Sequence, residues 1–487
     1  MSLTNPIRRV AVIGAGPSGL ASVKYLLAEK HFDQIEVFEQ RSSVGGAWNH
    51  NPSSAKTGMS TTVPHLTPHE PLEKPIWIDG AEGKREATFV SPLYDLLETN
   101  IPKELMRYSD QEWPSETQLF PKHRTVKQYL EDYAKDIKSL IQFETQVLDV
   151  KLKDAGLSTW DLTAKNLYTG AEITRTYDAV VVASGHFTVP YLPGTPGIEV
   201  WDASYPGTIT HSKFYDSPET FRGKKVVVVG SSASGLDIGA QINEVSKGRV
   251  VVSQKSESYL AASSAGNQII CPEIVEFLPP ATHNRGIKFA DGHIEEQIDA
   301  IVFCTGYFYS FPFLSSLNPP VVTHGWRTTN IYQQLFYTEH PTLAFPVLPQ
   351  RVIPFPMAEA QAAVFSRVWS ARLTLPPKNA MREWEDAEIN KKGDGKAFHI
   401  LHFPADADYL NFLHDWAKKA NLRPGLSNDG QGKLGPWWGE RERWMRALFP
   451  DIRRAFVKRG AERGEIRSLA EIGFDFEEWK REQGPRL

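Results

Sequence analysis

The sequence predicts an α/β protein with two doubly wound, mostly parallel sheets, one inserted into the other, and three observations carry that prediction. The first is the strand Arg9 to Ile13, which runs straight into the turn Gly14-Ala15-Gly16-Pro17-Ser18-Gly19. The second is the same device used again, where Lys225 to Val229 runs into Gly230-Ser231-Ser232-Ala233-Ser234-Gly235. The third is a pair of apolar runs, Tyr177 to His186 and Ile298 to Tyr307, that both end on small residues and so let a strand end approach a bound nucleotide. A β-branched run, a glycine turn and a helix, in that order, fit a dinucleotide-binding βα unit. Either turn alone is also what a structural glycine loop looks like, but two on one chain point to two bound nucleotides.

Composition narrows the classes. A chain of 487 residues is long for one hydrophobic core, so at least two domains are expected. With 41% hydrophobic and 23% charged residues the balance is that of a soluble globular protein, and a net charge of -4 gives no basic field for nucleic acid. Only Cys271 and Cys304 occur, with no CxxC pair, which argues against a disulfide scaffold, a zinc site or dithiol redox chemistry. No apolar run approaches the roughly 20 residues of a membrane span, and the start MSLTNPIRRV has no secretory pattern. A cytoplasmic protein is expected. The end, Pro485-Arg486-Leu487, is only faintly similar to an SKL-type peroxisomal address. Whether the chain forms a homo-oligomer is left open by the sequence.

Taken in order, Gly14 permits the tight first turn, Gly16 lets the backbone approach a pyrophosphate, and Gly19 lets the helix Leu20 to Lys30 pack on its strand. The helix N-terminus, near Ser18, then offers unsatisfied N–H groups to phosphates. The next strand, Ile35 to Phe38, ends in Glu39, whose carboxylate can accept from ribose hydroxyls and repels a 2′-phosphate. That suits FAD or NAD rather than NADP, and FAD is the choice. Residues 51 to 90 read as loop, and a helix is expected to start near Pro102. TVKQYLEDYAKDI is an amphipathic helix with Val126, Tyr129, Leu130, Tyr133 and Ile137 on one face. Ile141 to Leu152 and Leu157 to Thr163 read as an antiparallel layer.

The Pro-rich run Pro190 to Pro196 reads as a hinge. Beyond the second turn, a helix Leu236 to Val245 leads to the strand Val250 to Ser253 and then Gln254-Lys255-Ser256. Where the first unit has Glu39 the second has Lys255, and a cation with hydroxyls suits a 2′-phosphate, so NADPH is expected there. Ser232 and Ser234 add small hydroxyl donors, and DGH at 291 to 293 is a hairpin turn. Cys304 lies in an apolar strand with nothing to lower its pKa and reads as packing. His186 reads as a loop residue, and a lone His211 as structural rather than as a base. From 330 onward amphipathic helices rich in Trp follow, Trp437, Trp438 and Trp444 among them.

Four ordered motifs carry a family resemblance. Tyr205, Gly207, His211 and Tyr215 fall on FxGxxxHxxx(Y/F), with Tyr for the leading Phe. Gly45-Gly46-Ala47-Trp48 matches GGxW, Leu97 to Met106 is similar to a segment with an active-site asparagine, and Cys304-Thr305-Gly306 is similar to an ATG-type return. In these the chain resembles the flavin-containing monooxygenases, its fungal-type members in particular.

The resemblance implies two Rossmann-like domains, an FAD domain from 1–188 and 306–487 with an NADPH domain, 189–305, inserted. It implies that NADPH reduces FAD, that O2 adds at flavin C4a as a hydroperoxide, and that a soft N or S centre of a small molecule is oxygenated. It makes Asn100 the catalytic residue, and an uncharged amide can donate to oxygen or nicotinamide without acting as a base. From its position alone Asn100 reads first as a helix cap; the resemblance reverses that order, and both roles can coexist. Gly14, Gly16, Ser18, Gly19, Glu39, Gln40, Gly46, Trp48, Thr99, Val147, Thr305 and Gly306 are assigned to cofactor contacts. So are Tyr215, Gly230, Ser232, Ser234, Gly235 and Lys255, and His211 becomes part of a brace between the domains. The alternatives are a Baeyer-Villiger monooxygenase acting on ketones, which would end the His segment in Trp rather than Tyr215, an NADPH oxidase, and a redox sensor that holds both nucleotides without oxygenating anything.

Overall fold

Val10, Ala11 and Val12 are solvent-free and Ile13 nearly so, because the strand Arg9–Ile13 is covered on both faces and paired on both edges. In this computed structural model, which describes residues 6–482 apart from 52, 57, 80–82, 84, 155, 157 and 257–266, that strand lies within a seven-stranded sheet. Its parallel neighbours are Gln34–Phe38, in register Arg9↔Gln34, and Ala179–Val182, in register Val10↔Ala179. Ile141–Gln142 extends one edge in parallel; Leu343–Ala344 extends the other in parallel and carries the hairpin Ile331–Tyr332/Phe336–Tyr337.

The second sheet is wholly parallel, with strands in the order Ile209–His211, Ala300–Phe303, Val226–Val229, Val251–Ser253, Ile269–Cys271. Every one of its strands lies between two stretches of the first sheet in the chain. The outgoing and returning segments run side by side as Val189–Pro190 and Tyr307–Phe308, paired antiparallel. His211, fully buried, ties the second sheet to this crossing: its Nε2 donates to the Gly306 carbonyl at 3.1 Å while Nδ1 accepts from the Lys213 N–H. The Pro485–Leu487 end and residues 257–266 of the β-rich insert lie outside the described residues.

Several local expectations differ. The first helix begins at Pro17, not Leu20, because proline suits the first helical position where its missing N–H is no loss. The apolar run from Ile141 divides: Ile141–Gln142 joins the parallel sheet, and Thr145–Asp154 joins an antiparallel layer with Thr159–Asn166 and Glu172–Tyr177. Glu144, at φ 50°, makes the turn between them. Residues 51 to 90 are not all loop, since Ser53–Lys56 is a short helix and Ile76–Asp79 pairs with Arg85–Thr88. No helix starts at Pro102; Leu105 and Met106 donate back to its carbonyl in a single turn.

The amphipathic helix is His123–Tyr133, with Val126, Tyr129, Leu130 and Tyr133 buried as the pattern predicts. The Pro354–Trp369 helix is buried on all sides, between the Pro17–Ala28 and Ala405–Lys418 helices. It carries Glu359, a fully buried carboxylate that accepts from the Ser109 N–H (2.8 Å), the Ser109 hydroxyl (2.7 Å) and Tyr25 (3.3 Å). Burial raises its pKa to about 7. Among the described residues no helix is long and apolar enough to cross a membrane.

Candidate active site

The two glycine turns have the same geometry. Gly14 has φ +101° and Gly230 φ +110°, conformations open to glycine and strained for other residues. The Gly14 N–H donates to Phe38 across the sheet and the Gly230 N–H to Ser253, each at 2.8 Å. A Cβ at Gly19 would stand 1.9 Å from the Gly14 carbonyl oxygen, and one at Gly235 would stand 1.9 Å from that of Gly230. Each last glycine therefore lets a helix sit directly on its turn. The helices Pro17–Ala28 and Ala233–Asn243 start there with no side-chain cap, which leaves their first N–H groups for a ligand.

The middle positions differ in their surroundings. Gly16 and Ser232 share an extended backbone, but Gly16 faces the Gly46 backbone, with a Cβ there 3.4 Å from Gly46 Cα, whereas Ser232 is exposed. A Cβ on Gly46, at φ +53°, would meet Gly16 Cα at 3.0 Å, and Gly45 donates to the Ala15 carbonyl at 2.9 Å. The GGxW segment is thus laid against the first turn, with Trp48 half-buried above the main core. Ser18 is half-buried on the first helix, and Ser234 is exposed on the second.

Glu39 closes the first unit. Its Oε2 accepts from the Ala15 N–H (2.8 Å) and its Oε1 from the Arg41 N–H (2.9 Å), while burial raises its pKa. Next to it, Gln40 accepts from Gln146 Nε2 at 3.2 Å. Val147 is buried in the antiparallel layer beside a register shift. The Lys255 side chain is 83% exposed and 3.5 Å from Glu273, and the next residue, Ser256, accepts from the Ser231 hydroxyl of the second turn at 3.3 Å.

The segment with Asn100 is held on both sides. The Thr99 N–H donates to Pro121 and its hydroxyl to the Ile101 carbonyl, each at 2.9 Å. Glu98, 9% exposed, pairs with Arg463 at 3.1 Å and Arg453 at 3.6 Å from the C-terminal helices, and accepts from Gln118 at 3.3 Å. Asn100 caps no helix, because the next one in the chain is His123–Tyr133. His123, at the head of the helix that packs on Gly46–Trp48, donates its N–H to Leu97. That helix joins the Asn100 segment to the GGxW segment.

Tyr215, assigned from the resemblance to the cofactor, lies against the second helix. It is 2% exposed, donates its hydroxyl to Gln241 at 2.9 Å and packs edge-on against Tyr94, so it braces the second helix. Its neighbour Asp216, which the sequence reading passed over, pairs with His50 at 2.6 Å, and Lys56 donates to the Tyr215 carbonyl at 3.0 Å. Burial lowers the Lys56 pKa to about 8. The only sequence signal for this contact is adjacency: His50 follows Trp48 by two residues and Asp216 follows Tyr215. Glu98 and its two arginines, far apart in sequence, gave no signal. Thr305 donates to the Tyr191 carbonyl, and Gly306, at φ +89°, accepts from His211 and Tyr191 at the crossing.

His211 and Cys304 are excluded from proton work at neutral pH. Burial pushes the imidazole down to about 3, and burial pushes the Cys304 thiol up to about 12. Among the described residues there is no cluster of three metal-ligating side chains.

Two glycine-turn units, each at the carboxyl ends of parallel strands and one sheet inserted in the other, are the architecture of a dinucleotide-binding α/β protein. The chain matches the family model described as flavin-binding monooxygenase-like over residues 82–269 and 265–428, and a model described as an NAD(P)-binding Rossmann-like domain over 12–67. It is 32% identical over 438 residues to flavin-containing monooxygenase FMO GS-OX5 of Arabidopsis thaliana, covering 85% of each chain. It is 33% identical over 392 residues to the thiol-specific monooxygenase of Saccharomyces cerevisiae, covering 76% of this chain and 79% of that one. The solved structure of S-allyl-L-cysteine S-oxygenase from Allium sativum aligns at TM-score 0.74 and 26% identity, over 99% of both chains. The protein belongs to the flavin-containing monooxygenase family, with FAD and NADPH as its cofactors.

Proposed function

We propose that this protein oxygenates a sulfur centre of a small organic molecule. The observation that carries the reading is the doubled turn, with its matched 1.9 Å approaches, in a chain of this family. Sulfur is preferred to nitrogen because two of the relatives are named for thiol and S-oxygenation. A bound FAD would supply a hydride acceptor for NADPH and, once reduced, the means of activating O2 for transfer of one oxygen atom.

The residues divide that work. The first turn, with Gly14, Gly16 and Gly19, holds the FAD pyrophosphate at the Pro17–Ala28 helix N-terminus. Glu39, its carboxylate fixed by two backbone N–H groups, keeps lone pairs for ribose hydroxyls. Gly46 and Trp48 line the flavin side of that turn. The second turn, with Gly230, Ser232, Ser234 and Gly235, holds the NADPH pyrophosphate, and Lys255 meets the 2′-phosphate. The division into 1–188 plus 306–487 for FAD and 189–305 for NADPH follows the two sheets. Asn100 donates its amide proton toward the oxygen being transferred and does not compete as a base. The Glu98 ion pairs keep it in position.

The rival with a specific observation against it is ketone oxygenation, since Tyr215 stands where that class has Trp. A competition assay separates them: NADPH, O2 and equal amounts of methyl p-tolyl sulfide, N,N-dimethylaniline and cyclohexanone. Sulfoxide as the main product is expected. N-oxide or lactone as the main product would contradict the reading.

A further inference from the structure

The chain crosses between the two sheets at Val189–Pro190 and returns at Tyr307–Phe308, and the segment that carries Asn100 bridges them a third time. Before Asn100, Tyr94, 5% exposed, and Leu97 pack in the core of the second sheet, with Tyr215, Val228 and Ile238. After it, Ile101, Leu105 and Met106 pack in the core of the first. Asn100 therefore lies at a joint, with one flanking run seated in each domain.

The polar contacts divide in the same way. The Tyr94 hydroxyl donates to Asp237, whose carboxylate also accepts from Gln241 Nε2 at 3.1 Å. Both partners stand on the Ala233–Asn243 helix, and Asp237 lies about one turn beyond Ala233, where that helix opens onto the second glycine turn. Glu98 is held from the opposite side. Its partners Arg453, on the Glu440–Lys458 helix, and Arg463 stand on elements packed against the first core, and the Arg453 guanidinium is fixed over Phe120 at 4.9 Å and Phe456 at 5.5 Å. Arg453 feels the charges of both Glu98 and Asp237, one from each side of the joint, and its Nη1 is buried with no hydrogen-bond partner among the described residues.

Domains joined by few crossings move against each other by default, and apolar packing alone lets them slide. A hydroxyl–carboxylate bond in a dry joint resists that, because a buried carboxylate left without its donor is costly. The helix moves as one rod, so a shift of its N-terminus on a pyrophosphate is a shift of Asp237, and Tyr94 passes it to a segment that reaches Asn100 six residues on.

We propose that Tyr94 and Asp237 are positioning residues that tie Asn100 to the seat of NADPH, so that its amide is set only when the second nucleotide holds its helix in place. The part Asn100 plays with oxygen rests on the function proposed above; the tie between helix and segment does not.

The test is hydrogen–deuterium exchange at the backbone N–H groups of residues 94–99 in the FAD-loaded full chain, with and without saturating NADP+, with hydrogen peroxide released per NADPH measured in parallel. NADP+ is expected to slow exchange there by about tenfold, the lower end for one hydrogen bond to a charged group. Tyr94→Phe, which keeps the ring in its packing, is expected to keep FAD and still saturate with NADP+, yet lose most of that slowing and release as much peroxide as Asn100→Ala, with no further rise in the double variant. Asp237→Asn, whose amide oxygen still accepts from Tyr94, keeps most of the slowing, and Asp237→Leu loses it. No effect of NADP+ on exchange at 94–99 in the unaltered protein, or the same slowing in Tyr94→Phe, would overturn the proposal. So would added peroxide from Asn100→Ala with none from Tyr94→Phe, or increases that multiply in the double variant. Slowing that depends on Tyr94, with an unchanged peroxide yield in both single variants, would uphold the tie and remove Asn100 from oxygen handling.

Discussion

The assignment of one nucleotide to each turn can be tested by adding a single methyl group. In Gly235→Ala the new Cβ would stand 1.9 Å from the Gly230 carbonyl oxygen and 3.5 Å from the Cys304 Cβ, so the helix must move off its turn by more than an ångström. Overpacking of this kind costs about 1–3 kcal/mol, which corresponds to about 5- to 150-fold in an equilibrium constant. Displacement of the Ala233–Asn243 N-terminus falls on the N–H groups facing the second pyrophosphate. NADP+ affinity, by calorimetry on FAD-loaded protein, is expected to fall by that factor while FAD content and the flavin spectrum stay unchanged. Gly19→Ala, with the same 1.9 Å overlap on Gly14, is expected to do the reverse and lose FAD on purification. A Gly235→Ala protein that loses FAD but keeps its NADP+ affinity would refute the assignment.

Other outcomes follow from the same geometry. Asn100→Ala is expected to keep FAD but raise hydrogen peroxide released per NADPH by about 2- to 10-fold, the span of one neutral hydrogen bond; an unchanged yield removes Asn100 from oxygen handling. Lys255→Ala is expected to weaken NADPH relative to NADH by less than about fivefold, because an 83% exposed side chain near Glu273 contributes little; equal losses for both place the phosphate contact elsewhere. Glu359, held near 7 by burial, keeps its proton in the fold after the unfolded chain has lost its own, so stability is full below about pH 4.5 and falls as pH rises through about 7. Glu359→Gln should flatten that slope, worth about 3 kcal/mol, in thermal unfolding between pH 5 and 8; an unchanged slope assigns the titration to another group.

What the sequence made legible is what a local pattern encodes. The strand, turn and helix of each nucleotide unit lie within about 20 consecutive residues, the size of a βα unit, and Gly19 and Gly235 are required by backbone approaches inside that window, whereas Gly14 and Gly230 also face the distant Ala183 and Cys304 carbonyls. The helical period from Thr125 marked its buried face for the same reason. Long-range placement was not legible. Nothing near Asn100 shows that Glu98 is held by Arg453 and Arg463 more than 350 residues later, nor that no helix starts at Pro102. Tyr215 carried the right spacing, but only the fold shows its hydroxyl committed to Gln241.

The most direct test of the account is the stoichiometry of turnover under 18O2. The purified FAD-loaded protein is given NADPH and methyl p-tolyl sulfide, and NADPH consumed, sulfoxide formed and hydrogen peroxide released are measured together. The account predicts one sulfoxide per NADPH, with a single 18O atom in each sulfoxide and little peroxide. Peroxide equal to NADPH consumed, with no labelled sulfoxide, would contradict it and leave an NADPH oxidase.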